Sequence, residues 1–256
     1  MFNFARAGFA AAMIGAFGVL VLVASPATAM TVQPVVLDLQ TAGRGMSQVV
    51  TVENTFTSPL PVELRVEELT FDQNGAHGDG KDPGDLLVFP PQALIQPGQT
   101  QTFRVQYVGD PALAKSKHYY VTVAQLPVKL PEGQSAIQIL YNFQVLVSVA
   151  PPGVKPALRI VSAEVGKDDK GKPVPVITVT NDSNAHGYLS AGRLRIVEQD
   201  AAGKEIFRKT IPGPEIQQTM GFGLVTSGQT RRISVPVVLP SEGGKVEAQF
   251  TAERQR

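Results

Sequence analysis

The side chains in this sequence that could do chemistry are few and scattered. Its three histidines are His77, His118 and His186. His77 lies in a Gly/Asp loop, His118 begins an alternating apolar run, and His186 sits in a turn. No two are spaced as metal ligands and there is no H-x-x-x-H, so each is expected at the surface or packed in a loop. The stretch Asp72-Gln73-Asn74-Gly75-Ala76-His77-Gly78-Asp79-Gly80 is faintly similar to a calcium loop. It lacks the third acidic position and the terminal Glu of the EF-hand, and reads as a hairpin loop. The carboxylate pairs Glu67-Glu68 and Asp168-Asp169 have no cleft evident around them. There is no G-x-S-x-G turn, Walker loop or dinucleotide fingerprint. No enzyme activity, metal or cofactor is expected.

The segments that position these residues begin after an export signal. Arg6 supplies a positive n-region, Ala10 to Ala24 is apolar and small, and Ala27-Thr28-Ala29 is an A-x-A site. Residues 1–29 are therefore expected to be a signal peptide cleaved after Ala29. No later run approaches the roughly 20 apolar residues of a membrane span, so no membrane insertion is expected after its removal. With 0 Cys the exported chain must hold itself by burial rather than by disulfides. A formal net charge of +1 argues against a nucleic-acid partner.

The remainder reads as all-β. Runs of alternating apolar residues at Ser47–Asn54, Pro61–Phe71, Thr100–Val108 and His118–Leu126 are separated by Gly- and Pro-rich turns. Thr31–Gln40 carries Pro34 inside it, and so should lie at an edge or cross between sheets. Ser135–Pro151 (SAIQILYNFQVLVSVAP) reads as one unusually long strand. Ile137, Ile139, Tyr141, Phe143, Val145, Val147 and Val149 alternate along it and share one face. Pro151-Pro152-Gly153-Val154-Lys155-Pro156 then breaks the pattern, and further alternating runs follow. The expected architecture is two immunoglobulin-like β-sandwich domains at an angle, residues 30–150 and 157–256, joined by a proline-rich hinge at 151–156. No helix of ordinary length is expected.

Val88–Tyr107 (VFPPQALIQPGQTQTFRVQY) resembles the signature of the periplasmic pilus-assembly chaperones, the PapD-like family of the chaperone–usher pathway. The residues that carry the likeness are Pro90, Pro91, Leu94, Pro97, Gly98, Gln101 and Arg104. Val52-Glu53-Asn54, Tyr120-Val121 with Leu126-Pro127, and the long strand before Pro151 agree with it. The resemblance covers residues 31–151 well and the second half loosely, through Val179-Thr180-Asn181-Asp182-Ser183 and Gly243-Gly244. It implies a periplasmic chaperone that completes pilus subunits by lending them a strand and delivers them to an outer-membrane usher; donor-strand complementation of this kind is the general mode of these proteins. By alignment to Pro151, the donor residues would be Ile137, Ile139 and Tyr141, with Phe143 beside them.

Two positions depart from the family. Its subunit-terminus anchors, an Arg on the first strand and a Lys on the long strand, align with Val36 and Leu146. Arg44 and Arg65 are nearby cations in sequence. Arg104 fits the basic member of the family's interdomain charge cluster, but the acidic members fall near Ser116 and Ser241, with Glu242 beside the latter. Pro151, Pro152 and Pro156 are then expected to hold the domain angle. The competing readings are a structural sandwich module of a surface fibre and a carbohydrate-binding sandwich. A fibre module would carry an N-terminal extension or paired cysteines, and a sugar site would call for stacked aromatics. The chain has 0 Cys and 0 Trp.

Overall fold

The computed structural model describes residues 29–72, 75–128 and 139–253. The first half contributes β1 (Met30–Gln33), β2 (Val36–Gln40), β3 (Ser47–Asn54), β4 (Leu60–Asp72) and β5 (Gly75–Gly78). It continues with β6 (Leu86–Phe89), β7 (Gln92–Ile95), β8 (Thr100–Tyr107), β9 (Lys117–Gln125) and β10 (Asn142–Ala150). One sheet has the order β1-β3-β8-β6. The other runs β2-β10-β9-β4-β5, with β7 also on β4. All pairs are antiparallel except β2 with β10.

Pro34 explains how the chain serves both sheets. It has no N–H to give a ladder, and the chain leaves β1 in the first sheet and enters β2 in the second on either side of it. The inward residues of both sheets form a single core that includes Leu37, Leu39, Phe103, Val121, Val145 and Val147. Asn54 closes the end of β3. Its side-chain amide donates to the carbonyls of Ser58 and Ile95, and its Oδ1 accepts from the Phe56 N–H.

The second half contributes β11 (Leu158–Lys167), β12 (Pro173–Asn181), β13 (Gly187–Tyr188), β14 (Gly192–Gln199) and β15 (Glu205–Pro212). After a helix, α1 (Gly213–Met220), come β16 (Leu224–Val225), β17 (Thr230–Ser234) and β18 (Lys245–Ala252). Two three-stranded sheets, β11-β12-β17 and β15-β14-β18, face each other, with β13-β16 at one end. Their core, which includes Ile177, Leu194, Ile196 and Val235, is separate from the first. Asn181 repeats the role of Asn54. Its amide donates to the carbonyls of Ala185 and Val225, and its Oδ1 accepts from the Ser183 N–H.

One expectation is corrected by the fold. Helix α1 was not anticipated. Pro214 suits a first helical turn, and Ile216 is buried from that helix. Of the strand expected over Ser135–Pro151, residues 135–138 lie outside the described residues, and within the described part the ladder begins at Asn142. Its partner β9 ends at Gln125, whose N–H donates to the Tyr141 carbonyl. The next N–H, of Leu126, donates to Pro61, and Pro127 has none to give.

The connection between the halves runs from Pro151 to Pro156. Pro152-Gly153 forms a turn, and Gly153 has φ +77°, a conformation natural to glycine. Pro156 packs on Gly187, where an added Cβ would come within 2.8 Å of the proline ring.

Candidate functional site

β10 has two kinds of neighbour. Along β9 it is paired from Asn142 to Val149. On the other side β2 pairs only with Leu146–Ala150, so Asn142–Val145 have no strand partner there among the described residues. Such an edge presents unused backbone donors and acceptors.

The odd-numbered side chains change character along this strand. Val145, Val147 and Val149 are fully buried, and Phe143 is half-buried against the same core. Tyr141 is 40% exposed, with its ring 5.9 Å from that of Phe56, and Ile139 is 70% exposed. Ile137 lies outside the described residues. The apolar stripe therefore runs off the core at the point where the edge is open.

The opposite, outer face of the same sheet turns toward the second domain. Val36 and Leu146 are register partners on it, and Tyr120 of β9 is the next residue in the row. A cavity beside Leu146 and Tyr120 is walled by Phe222, Leu224 and Arg231, with Asp72 also on its rim. A second cavity joins Val35 and Val36 to Gln217 and Phe222. The Arg231 guanidinium donates to the Leu224 carbonyl, which holds it at the cleft wall. Arg44 is exposed on the loop after β2, and Arg65 is exposed and paired with Glu63.

One row deeper, Asp38, Ser148 and His118 lie side by side across β2, β10 and β9. The second domain covers them. Asp38 Oδ1 accepts from His186 Nε2 at 2.8 Å and from the Tyr188 hydroxyl at 2.8 Å. Tyr188 also lies 3.2 Å from Ser148 Oγ, and His118 Nδ1 lies 2.9 Å from the same oxygen. Ser116 Oγ accepts from the His186 N–H and sits 3.0 Å from its Nδ1. The rings of Phe71, His118, His186, Tyr188 and Phe222 follow one another edge to face, 5.1–6.0 Å apart. Burial, helped by His186 beside it, pushes the proton affinity of His118 down to a pKa of about 3. Burial and the Asp38 carboxylate hold the Tyr188 phenol in its neutral form.

These positions revise the reading of the histidines. His77 is exposed and pairs with Asp72. His118 and His186 are not surface groups but are 4% and 8% exposed between the domains. His118 lies on the outer face of β9, covered edge-on by Phe71 of β4 and by His186 of the second domain. Arg104 is also relocated. It points outward from β8, exposed, between Val49 and Phe89 in neighbouring strands. None of the hydrogen bonds, ion pairs or ring contacts between the domains among the described residues involves it. Ser116 does reach the second domain, but as a hydroxyl partner of His186. Glu242 pairs with Lys167 inside that domain. The other acidic pairs are structural: Glu68 is held by Lys117, and Asp168 caps the β11–β12 turn. Among the described residues, no group of three His, Cys, Asp or Glu side chains is arranged to hold a metal ion.

Residues 29–155 match the family model of the pili and flagellar-assembly chaperone, PapD N-terminal domain. The chain belongs to this family of pilus-assembly chaperones. Among curated proteins, none matches the sequence significantly. Solved structures resemble it over both domains. A chain of a chaperone–tip adhesin complex from CFA/I fimbriae biogenesis is 14% identical, with a TM-score of 0.53 over 90% of this chain and 94% of that one. A chain of the Salmonella enterica SafA pilin–SafB chaperone complex is 16% identical, with a TM-score of 0.52 over 90% and 99%. A chain of the CsuC–CsuE chaperone–tip subunit pre-assembly complex of Acinetobacter baumannii is 15% identical, with a TM-score of 0.50 over 86% and 98%. At these identities the likeness is one of fold.

Proposed function

We propose that this protein is a periplasmic chaperone for pilus subunits, acting by binding and not by catalysis. The observation that carries the reading is the open edge of β10 at Asn142–Val145, continued by the exposed Ile139 and Tyr141. A subunit with an incomplete sandwich exposes an unpaired edge and a groove, and both drive aggregation. β10 offers that subunit backbone hydrogen bonds on its free side. Ile139, Tyr141 and, by continuation, Ile137 offer alternate apolar side chains, with Phe143 at the junction with the chaperone's own core. Burying each would contribute about 1.5–3 kcal/mol.

The free edge ends at Leu146, where β2 takes over the ladder. A subunit strand laid along it must stop or turn there, beside Val36, Leu146 and the cleft wall that carries Arg231. A terminal carboxylate buried at that point without a cation would cost several kcal/mol. Arg231 supplies the cation that the two aliphatic positions lack. The complex is then handed to an outer-membrane usher, after export directed by residues 1–29.

The test is co-expression in the periplasm with a subunit from a chaperone–usher system. A stoichiometric one-to-one complex, lost when Ile139 and Tyr141 are changed to Ser, is the expected result. A chain that purifies alone, while the subunit is degraded or aggregates as in its absence, defeats the reading.

A further inference from the structure

The second domain closes over His118 and leaves one of its nitrogens with nothing to bond. His118 Nδ1 meets Ser148 Oγ, but Nε2 is buried with no partner. With Asp38 as the terminal acceptor, the hydrogens of the cluster can be arranged in one direction: His118 Nδ1–H to Ser148, Ser148 to Tyr188, and Tyr188 to Asp38. In that arrangement Nε2 is a bare lone pair. A second proton would create a buried imidazolium whose new N–H finds no acceptor, and an unsatisfied buried charge is strongly unfavourable.

We propose that His118 is a proton-operated latch between the two domains: the closed arrangement accepts only its neutral ring, and protonation favours domain opening. The latch acts on the domain arrangement alone, whatever client the protein carries.

The groups around the ring define how the latch responds. Facing it are Asp38 from β2, and His186 and Tyr188 from the second domain. From β4 come Leu69 and the edge-on ring of Phe71, with Glu67 one step further along beside Gly78. Lys117, the preceding residue on β9, turns to the other face and pairs with Asp85 and Glu68. Asp38 is the acid that could favour a protonated His118, but it is already bound by both His186 and Tyr188. His186 differs from His118 in having a partner for each nitrogen. Its Nε2 donates to Asp38, and its Nδ1 can either accept from Ser116 Oγ or donate to it. Closure therefore leaves no ring nitrogen of His186 without a partner but leaves one of His118 bare.

The sign follows from this asymmetry. In the open form His118 is wet and has an ordinary affinity for protons; in the closed form that affinity is depressed. Closure is fully supported above the ordinary histidine range and is lost as pH falls through it and below. With about 6.5 in the open form and about 3 in the closed form, the ratio of open to closed molecules rises about thirtyfold between about pH 7.5 and about pH 5.

The chain has 0 Cys, so a label pair is easily placed. Val49→Cys in the first domain and Ile206→Cys in the second are both exposed sites. Spin-label distances in the full mature chain should shift toward an open population on acidification. His118→Gln should abolish that response, and His186→Gln should retain it. Circular dichroism at each pH checks that both domains stay folded. Should His118→Gln not fold, the unlabelled wild-type chain provides the reading through the NMR titration of His118. The expected result is a titration below the ordinary histidine range that tracks the change in distance. Distances indifferent to pH, a response that follows His186 instead, or ordinary titration of His118 with the domains still closed would each overturn the latch.

Discussion

Val36 and Leu146 stand directly opposite each other across the parallel β2–β10 pair, on the face turned to the second domain. Two aliphatic side chains thus occupy neighbouring places where the resembling family carries an Arg and a Lys. The cation at this cleft, Arg231, comes from β17 of the other domain. A subunit terminus held here would therefore be gripped from both domains at once.

That arrangement predicts the effect of Arg231→Gln. Affinity for a peptide copying a subunit's C-terminal strand should fall about tenfold or more, equivalent to about 1.4 kcal/mol. Amidating the peptide terminus should reproduce the loss in the wild type and add little in the variant. Calorimetric titration of the four combinations measures this. Independent, additive losses would place the carboxylate elsewhere.

The two halves of the β10 stripe should respond oppositely to the same change. Ile139→Ser with Tyr141→Ser removes exposed side chains, so the melting temperature should stay within a few degrees while subunit retention is lost. Val147→Ser empties a fully buried position and should cost several kcal/mol, as large-to-small core changes do. A large drop in melting temperature for the first variant would mean that Ile139 and Tyr141 serve this chain's own core.

The elbow and the interface should act jointly on the domain angle. Replacing Pro151, Pro152 and Pro156 by Gly frees φ along the connection, but the bonds from Asp38 and Ser116 remain. Small-angle scattering should show a modestly larger radius of gyration for the triple Gly variant. The increase should be much greater when Asp38→Ala is added. Domain melting should be unaffected by the proline changes. A combined effect no larger than that of Asp38→Ala alone would show that the elbow contributes nothing.

Asn54 should prove as important to stability as a core residue. Asn54→Ala leaves the carbonyls of Ser58 and Ile95 and the Phe56 N–H without their side-chain partner. The expected cost is about 2–4 kcal/mol in urea unfolding, the scale of unmet buried hydrogen bonds. Asn181→Ala should have a similar effect in the second domain. A loss below about 0.5 kcal/mol would mean that water replaces the amide.

What could be read in advance was what repeats at short range. The period-two pattern marked the sandwich strands, and Pro34 marked a crossing, because both signals lie within a few residues. The apolar character of Val36 and Leu146 was also visible, although only the ladder made them neighbours. The interdomain cluster was hidden. Nothing near Asp38 hints at His186, since the two meet only after both sandwiches have folded and docked. The same holds for Arg104. Its place in a proline-rich signature suggested an interdomain role, while the outward phase of β8 decides where its side chain points. Within the described residues the β10 ladder begins at Asn142, although the alternation reaches further back, because β9 ends at Gln125.

The parallel pairing of β2 with β10 has a consequence for how the chain acquires its shape as it emerges. The strand that follows the first turn of the sequence finds its partner only at the end of the first domain, so Leu37 and Leu39 lack their neighbours Val147 and Val149 until the whole domain has emerged. Contacts so far apart in the chain are costly to close and slow to form. The emerging protein therefore passes through an interval in which its own groove lies open, the same predicament as that of the subunits it is proposed to protect.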